Sequence, residues 1–177
     1  MTAPVQVGGR GVSVVIPCLN EESSIAAVIA DAREGIAALG LPGEVIVVDN
    51  RSTDRSAEIA REQGARVLRE EIPGYGAALR RGFAAARFDV LVMGDADQTY
   101  DFTRLGELAR PILEGQADFV IGNRMGNIRP GSMPWLHRYV GNPIMSMLLR
   151  LMFPGARVRD TQCGLRAIAR EAYLRLH

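Results

Sequence analysis

Acidic side chains follow three short apolar runs of this 177-residue sequence. Glu21 lies just beyond the first run, Asp49 ends the second, and Asp95 and Asp97 come directly after the third. Ligands of open parallel sheets bind beyond the carboxyl ends of the strands, so we expect these carboxylates to share one crevice. Carboxylates that face each other repel unless a cation or hydrogen-bond donors accept their charge. The pattern therefore predicts a site for a nucleoside or for a hard divalent cation, either Mg²⁺ or Mn²⁺.

Two other interpretations of these acidic residues have to be weighed. An isolated Asp95-Ala96-Asp97 segment is more often a turn that leads into a helix cap, but here it follows a buried apolar run, which favours a site. Asp49 also stands where a dehydrogenase holds the ribose of a dinucleotide. That fold needs glycine in the first strand-to-helix turn, whereas the turn Asn20–Glu22 is acidic and would repel a phosphate. The sequence therefore argues against a dinucleotide site.

Alternating strands and helices must position these side chains. Apolar runs predict strands at Val12–Pro17, Glu44–Asp49, Arg66–Leu68, Asp89–Gly94 and Asp118–Gly122. Apolar residues at helical spacing predict helices between them, with N-caps at Asn20, at Ser52 or Thr53, and at Thr103, and a further helix over Gly76–Ala86. The alternation is typical of an α/β domain, in which a mainly parallel sheet carries helices on both faces.

Composition limits the classes of protein to consider. The chain is 47% hydrophobic with a formal net charge of +1, which predicts a single domain and gives no basic surface for nucleic acid. Its two cysteines, Cys18 and Cys163, lie far apart, as in proteins of a reducing compartment. The first residues do not have the pattern of a signal peptide, and the apolar stretch 144–153 is too short and too interrupted to span a bilayer. We therefore expect a cytoplasmic protein.

Six segments occur in an order that resembles a known family. They are Pro17–Glu21, Val48–Asp54, Gly74–Gly82, Asp95–Asp97, Gly122–Arg124 and Asp160–Arg166. Together they resemble the family 2 glycosyltransferases of GT-A fold, a Rossmann-like α/β architecture, and in particular the polyprenyl-phosphate sugar synthases of the dolichol-phosphate mannose synthase-like group. The resemblance implies an inverting, metal-dependent transferase. Such an enzyme moves a sugar from a UDP- or GDP-linked donor to a polyprenyl phosphate or a related lipid acceptor.

The resemblance also implies which residues bind the donor. The nucleoside site would be lined by Pro17, Leu19, Glu21 and Asp49. Asp95 and Ala96 would lie near the ribose of the nucleotide. Asp97, assisted by Asp95, would hold the Mg²⁺ or Mn²⁺ ion that binds the diphosphate.

Three further residues would act on the reaction itself. Arg124 and Arg166 would neutralise the charge that builds on the departing diphosphate. Asp160 would orient a phosphate acceptor, or act as general base if the acceptor carries a hydroxyl group. The sequence also departs from the family: Asn50-Arg51 stands where an acidic residue and glycine are common, and Thr99-Tyr100 where His-Pro is frequent. The sugar and base of the donor are therefore left open.

The resemblance divides the chain into two functional parts of one catalytic domain. Residues 12–125 would bind the nucleotide sugar, and residues 126–177 would face the acceptor or the membrane, with the domain truncated at its C-terminus because family members normally continue. The segment Trp135–Phe153 mixes apolar and basic side chains, which suits either a helix peripheral to the cytoplasmic membrane face or helices that cover the sheet. Two other functions stay open: a sugar-phosphate nucleotidyltransferase and a non-catalytic nucleotide-binding module.

Overall fold

A computed structural model describes residues 9–123, 147, 149, 151–153 and 160–176 of the chain. The described strands are β1 (Val12–Cys18), β2 (Gly43–Asp49), β3 (Arg66–Arg69), β4 (Val90–Met93), β5 (Phe119–Ile121) and β6 (Arg166–Ala169). The helices that flank them are α1 (Ile25–Leu39), α2 (Ser56–Glu62), α3 (Tyr75–Ala85), α4 (Gly106–Leu113) and α5 (Arg170–Leu174), with a 3₁₀ helix at Phe102–Arg104. Strands and helices therefore alternate along the chain.

The strands form one sheet in the order β3-β2-β1-β4-β6-β5. β1 runs parallel to β2 and β4, and β2 runs parallel to β3. This confirms the predicted mainly parallel α/β sheet. β6 runs antiparallel to β4, which makes the sheet mixed, although the sequence pattern predicts no strand after Gly122. The reason is that β6 has only four residues and a single large apolar side chain, Ile168, so its pattern is too weak to indicate a strand.

The core occupies both faces of β1 and β2. Val15 and Val48 belong to a buried apolar cluster with residues of α3. Because side chains alternate along a strand, Val14 and Val47 lie on the opposite face, and both are completely buried. α1 contacts both strands and buries the apolar stripe that runs through Ile25–Ala32. Helices therefore cover both faces, as predicted, and this explains why these strands are almost continuously apolar.

The helix caps predicted at Asn20, at Ser52 or Thr53, and at Thr103 are wrong. α1 and α2 begin further along the chain than these residues. The Asn20 side chain instead accepts a hydrogen bond from the backbone N–H of Thr53 at 2.8 Å, so it binds the neighbouring loop. Thr103 lies inside the 3₁₀ helix, where its N–H donates to Oδ1 of Asp101 at 3.0 Å. Polar residues near helix starts therefore serve the loops here, which local sequence does not reveal.

The chain divides into two compact units, Met1–Val120 with Leu165–His177, and Ile121–Gly164. The functional parts inferred above, residues 12–125 and 126–177 of one catalytic domain, stay a prediction. Within the part of the chain that the structure describes, no helix is both long enough and apolar enough to cross a membrane.

Candidate active site

A pocket of about 520 Å³ opens at the carboxyl ends of β1, β2 and β4. The β1 end supplies Pro17–Leu19 and Glu21, the β2 end supplies Asn50 and Arg51, the start of α3 supplies Pro73–Tyr75 and Ala78, and the β4 end supplies Asp95–Asp97. Every residue that the sequence assigns to the nucleoside and the metal ion lines this pocket, except Asp49. Of the four carboxylates predicted to share one crevice, Glu21, Asp95 and Asp97 therefore line it, within the unit that contains the sheet.

Hydrogen bonds join the loops that follow β1 and β2 into one wall of the pocket. The N–H of Asn20 donates to Oγ of Ser52 at 3.1 Å, and the N–H of Thr53 donates back to Oδ1 of Asn20 at 2.8 Å. The N–H of Glu21 donates to Oγ of Ser56 at 2.8 Å. These bonds satisfy backbone donors that have no partner in the sheet or in a helix. They hold Glu21 and its neighbours in place at the rim of the pocket.

Asp49 is buried behind this wall. Only 2% of its surface is exposed, and it does not line the pocket. Its Oδ1 accepts the N–H of Ser52 at 3.0 Å, and its Oδ2 lies 3.6 Å from Nη1 of Arg69. Burial, and to a smaller extent the Asp49 carboxylate, raise the pKa of the adjacent Cys18 thiol to about 11. In the structure, Asp49 therefore shapes the β2 turn. Its predicted contact with a nucleoside stays a prediction.

The Asn50 side chain fixes the start of α3 against the sheet. Its Nδ2 donates to the carbonyl oxygens of Glu70 at 3.0 Å and Ile72 at 2.8 Å, and its Oδ1 accepts the N–H of Gly74 at 2.8 Å. Asn50 is buried, so these three bonds replace the water that it would otherwise bind. They hold the loop that delivers Tyr75 to the pocket.

The β4 end turns sharply before it reaches Asp95 and Asp97. A side chain at Gly94 would place its Cβ 2.6 Å from the ring of Phe102, so only glycine fits between β4 and the 3₁₀ helix. Oδ1 of Asp97 accepts the N–H of Thr99 at 2.9 Å, which closes a tight turn. Both carboxylates line the pocket just beyond a buried strand.

Tyr75 and Asp95 contact each other across the pocket wall. The Tyr75 hydroxyl interacts with the Asp95 carboxylate. Burial and then the negative charge of Asp95 raise the pKa of Tyr75, while the positive charge of Arg166 opposes this by a smaller amount. Tyr75 is therefore a neutral donor at physiological pH. Arg166 begins β6 and pairs in register with Met93, close to the carboxyl end of β4.

The donor atoms in the pocket suit a hard divalent ion that is shared with a ligand. Asp95 and Asp97 supply carboxylate oxygens, which Mg²⁺ and Mn²⁺ prefer. No group of three or more His, Cys, Asp or Glu side chains that could hold a metal occurs among the described residues. Mg²⁺ is commonly bound by one or two carboxylates together with substrate phosphates, so the two aspartates fit an ion that completes its coordination with a diphosphate.

The three residues predicted to act on the reaction lie in different parts of the chain. Asp160 is buried in the unit Ile121–Gly164, and its Oδ1 accepts the N–H of Gln162 at 3.1 Å. Arg166 belongs to the unit that contains the pocket, but it lines a separate, mostly apolar cavity of about 180 Å³. Arg124 lies outside the described residues. The catalytic roles of all three stay predictions.

Several residues that line the pocket have no role in the predictions from sequence, among them Asn50, Arg51 and Tyr75. Asn50 and Arg51 come directly after Asp49, so the rule that ligands bind at strand ends would have selected them. Tyr75 begins a helix that follows β3, and no local pattern indicates its contact with Asp95. That contact depends on how α3 packs against the sheet.

The same fold occurs in glycosyltransferases of known structure. The chain matches the crystal structure of glucosyl-3-phosphoglycerate synthase from Mycobacterium tuberculosis in complex with Mn²⁺, uridine diphosphate and glucosyl-3-phosphoglycerate. The TM-score is 0.68 and the sequences are 31% identical, over 92% of this chain and 57% of that one. The GT-A fold that the resemblance implies is confirmed.

The chain belongs to glycosyl transferase family 2, whose sequence profile matches residues 13–176. It is 44% identical to the low-salt glycan biosynthesis hexosyltransferase Agl6 of Haloferax volcanii over 91% of this chain and 39% of that protein. It is 38% identical to a dolichyl-phosphate hexose transferase of the same organism over 90% of this chain and 66% of that protein. The chain therefore spans well under half of the first relative and about two thirds of the second.

Proposed function

We propose that the protein is an inverting hexosyltransferase. It takes a sugar from a UDP- or GDP-linked donor, with Mg²⁺ or Mn²⁺, and transfers it to a polyprenyl phosphate or a related lipid acceptor at a membrane surface. The observation that carries the proposal is the pocket in which Asp95 and Asp97 meet the ends of β1 and β2. The names of the relatives support the class of reaction, since one is a hexosyltransferase and another a dolichyl-phosphate hexose transferase.

On the donor side, each part of the pocket has a distinct task in this proposal. Pro17, Leu19 and Glu21 bind the nucleoside, with Asp49 behind them. Asp95 and Ala96 lie beside the ribose, and Tyr75 keeps the Asp95 carboxylate oriented. Asp97 and Asp95 hold the divalent ion, which when bound stabilises negative charge on the leaving diphosphate. The same pairing of Mn²⁺ with uridine diphosphate is present in the matched synthase.

On the acceptor side, the reaction is a single displacement at the anomeric carbon. A bond forms between this carbon and an oxygen of the acceptor phosphate, the bond from the carbon to the diphosphate breaks, and the nucleoside diphosphate leaves with the electron pair. A phosphate acceptor is already anionic, so Asp160 orients it and removes no proton. Arg166 and Arg124 neutralise the charge of the phosphates, a task that suits the planar guanidinium group.

The described end of the segment Trp135–Phe153 supports contact with a membrane surface. Met147, Leu151, Met152 and Phe153 are between 57 and 77% exposed. Four large apolar side chains this exposed within seven residues are typical of surfaces that bind lipid or another protein. In the proposal, they lie among lipid headgroups and bring the acceptor phosphate near the enzyme.

The donor is tested by calorimetry of UDP and GDP binding with and without Mn²⁺. We expect one nucleotide to bind in a manner that depends on Mn²⁺, and Asp97→Asn to remove this dependence. Asparagine keeps the Oδ1 that accepts the N–H of Thr99, so the turn should survive. Asp89→Asn is the matched control, because it removes the same charge from an exposed residue just before β4, at the opposite end of that strand. A folded protein that binds neither nucleotide would contradict the proposal.

The acceptor is tested by transfer of radiolabelled hexose to polyprenyl phosphate in vesicles, with 3-phosphoglycerate as the competing acceptor. Labelled lipid is the expected product. Transfer to 3-phosphoglycerate alone would instead favour a small phosphate acceptor, as the name of the matched synthase indicates for that protein. Donor binding without transfer to either acceptor would favour the non-catalytic nucleotide-binding module. Release of pyrophosphate from a nucleoside triphosphate and a sugar phosphate would favour the nucleotidyltransferase.

A further inference from the structure

Arg51 has a backbone conformation that its residue type disfavours. Its φ is 72°, in the left-handed region. Glycine adopts this region without strain, whereas in other residues the Cβ crowds the following carbonyl oxygen. Asn20, also left-handed in the facing loop, is a residue type that tolerates this region. An arginine does not, so the surrounding structure must impose the conformation. Such positions are often found where a side chain binds a ligand.

The residues on either side of Arg51 are held firmly enough to impose it. The N–H of Asn50 donates to the carbonyl of Cys18 at 2.9 Å, and the Asn50 side chain makes the three bonds described above. The N–H of Ser52 donates to Oδ1 of Asp49 at 3.0 Å. Since both neighbours are fixed, the direction in which the Arg51 side chain leaves the backbone is fixed as well. The turn thus fixes the direction of the Cα–Cβ bond of Arg51, and the residue lines the pocket.

The sheet places Arg51 at the opposite end of the pocket from Asp97. β2, β1 and β4 are adjacent, and their registers pair Asp49 with Cys18 and Val15 with Met93. The residues just beyond these strand ends are therefore nearly level. Two strand spacings separate the β2 end from the β4 end, which is about 10 Å. Arg51 and Asp97 line one pocket from two sides.

Arg51 also differs in charge from the rest of the described lining. The acidic residues there are Glu21, Asp95 and Asp97, and Arg51 is the basic one. Within residues 9–123 and 160–176, the ion pairs of the structure do not include Arg51. Its guanidinium donors are therefore available to a ligand. The guanidinium group offers only donors, so it matches the exocyclic carbonyl oxygens of uracil and guanine, whereas the exocyclic amino group of adenine is itself a donor.

We propose that Arg51 contacts the base of the nucleotide donor and selects a base with an exocyclic carbonyl, uracil or guanine, over adenine. This rests on the proposed function, in which Asp97 and its metal ion hold the diphosphate. The ribose separates the base from the phosphates, so a diphosphate at the β4 end leaves the base at the β2 end. Arg51 is the charged side chain found there.

The experiment compares binding of UDP, GDP and ADP, each with Mn²⁺, by calorimetry on the wild-type protein and on Arg51→Gly. Glycine accepts the left-handed conformation, so the variant should unfold at the same temperature as the wild type or at a higher one. We expect the wild type to bind UDP or GDP at least about tenfold more tightly than ADP. Arg51→Gly should bind that preferred nucleotide about tenfold more weakly than the wild type does, and its affinity for ADP should stay within about twofold of the wild-type value. Arg81→Ala, an exposed arginine of α3 outside the pocket, is the control for net charge and should change none of the three affinities.

The possible results separate this inference from the proposed function. Equal weakening of all three nucleotides in Arg51→Gly would mean that Arg51 contacts the phosphates or the ribose, which overturns the inference. Unchanged affinities in Arg51→Gly would overturn it too, while leaving the donor site intact. If the folded wild type binds no nucleoside diphosphate with Mn²⁺, the proposed function itself fails.

Discussion

Gly82→Ala should destabilise the protein even though alanine is the better helix former. Gly82 lies in α3 where the helix crosses β1 and β2. A Cβ at this position would lie less than 3.0 Å from Cγ1 of Val15 and 3.3 Å from its Cγ2, and 3.1 Å from Cγ2 of Val48. Both methyl groups of Val15 are close to this point, so rotation of that side chain does not open space. Relief requires α3 to move away from the sheet.

The size of the effect follows from two opposing contributions. An added methyl group that forces well-packed elements apart costs about 1 to 3 kcal/mol. The upper half of this range applies, because three methyl groups on two strands oppose the new Cβ. Replacing glycine by alanine within a helix stabilises the helix by about 1 kcal/mol. The free energy of unfolding should therefore fall by about 1 to 2 kcal/mol, and Tm by about 2 to 8 °C for a chain of this size.

The measurement is urea denaturation followed by circular dichroism, together with thermal unfolding. Gly76→Ala is the matched control in the same helix, since a Cβ there meets no atom within 4 Å, and it should be neutral or stabilising. Val15→Ala removes two of the three methyl groups that oppose the new Cβ, including the nearest one. Gly82→Ala should therefore cost much less in the Val15→Ala background than in the wild type. The reasoning is refuted if Gly82→Ala is as stable as Gly76→Ala, or if the effects of Gly82→Ala and Val15→Ala simply add.

Three further changes test other parts of the structure. Glu44→Ala removes the carboxylate that accepts from Oγ of Ser13 at 2.9 Å and from the N–H of Arg87 at 2.8 Å, so the free energy of unfolding in urea should fall by about 2 kcal/mol. Glu62 is exposed, so a fall in unfolding free energy no larger than that of Glu62→Ala would contradict this. Asn50→Ala should accelerate amide hydrogen exchange in residues 70–74 while exchange in β1 stays slow, and equal exchange rates in both proteins would argue against the role of Asn50. Because folding raises the pKa of Cys18 from 9.0 to about 11, the unfolded chain loses the thiol proton first. The free energy of unfolding should therefore fall as the pH rises from about 9 to about 11, and it should fall less in Cys18→Ala. Parallel profiles of unfolding free energy against pH in the two proteins would exclude this effect.

The sheet and the acidic side of the pocket are predictable because they depend on local patterns. An apolar run followed by a polar turn marks a buried strand, and parallel strands end at one edge of the sheet. These two facts suffice to bring Glu21, Asp95 and Asp97 together. The same rule selects Asp49 but does not indicate whether its side chain faces the pocket. Asp49 turns towards the N–H of Ser52 and towards Arg69, and burial is the result.

The remaining features depend on contacts between distant residues. Asn50 reaches Gly74 across 24 positions, and Tyr75 reaches Asp95 only because α3 packs over β1 and β2. The left-handed conformation of Arg51 depends on bonds made by its neighbours, and neither its residue type nor its spacing indicates it. Local sequence does not specify such contacts, which is also why a polar residue such as Asn20 is mistaken for a helix cap.

The hydrogen bonds of the pocket organise its acidic groups without removing their charge. Asp97 accepts from the N–H of Thr99 and Glu21 from Oγ of Ser24, and Asp95 interacts with the hydroxyl of Tyr75. All three partners are neutral, so they orient the carboxylates and bring no positive charge to them. With Arg51 as the opposing cation in the described lining, the pocket stays negative on balance and would repel a diphosphate by itself. A divalent ion held by Asp95 and Asp97, as proposed, would reverse this balance at the diphosphate end of the pocket, while Arg51 would face the base at the other end. In the proposed function, the metal ion therefore accounts for binding of the diphosphate, and Arg51 accounts for the choice of base.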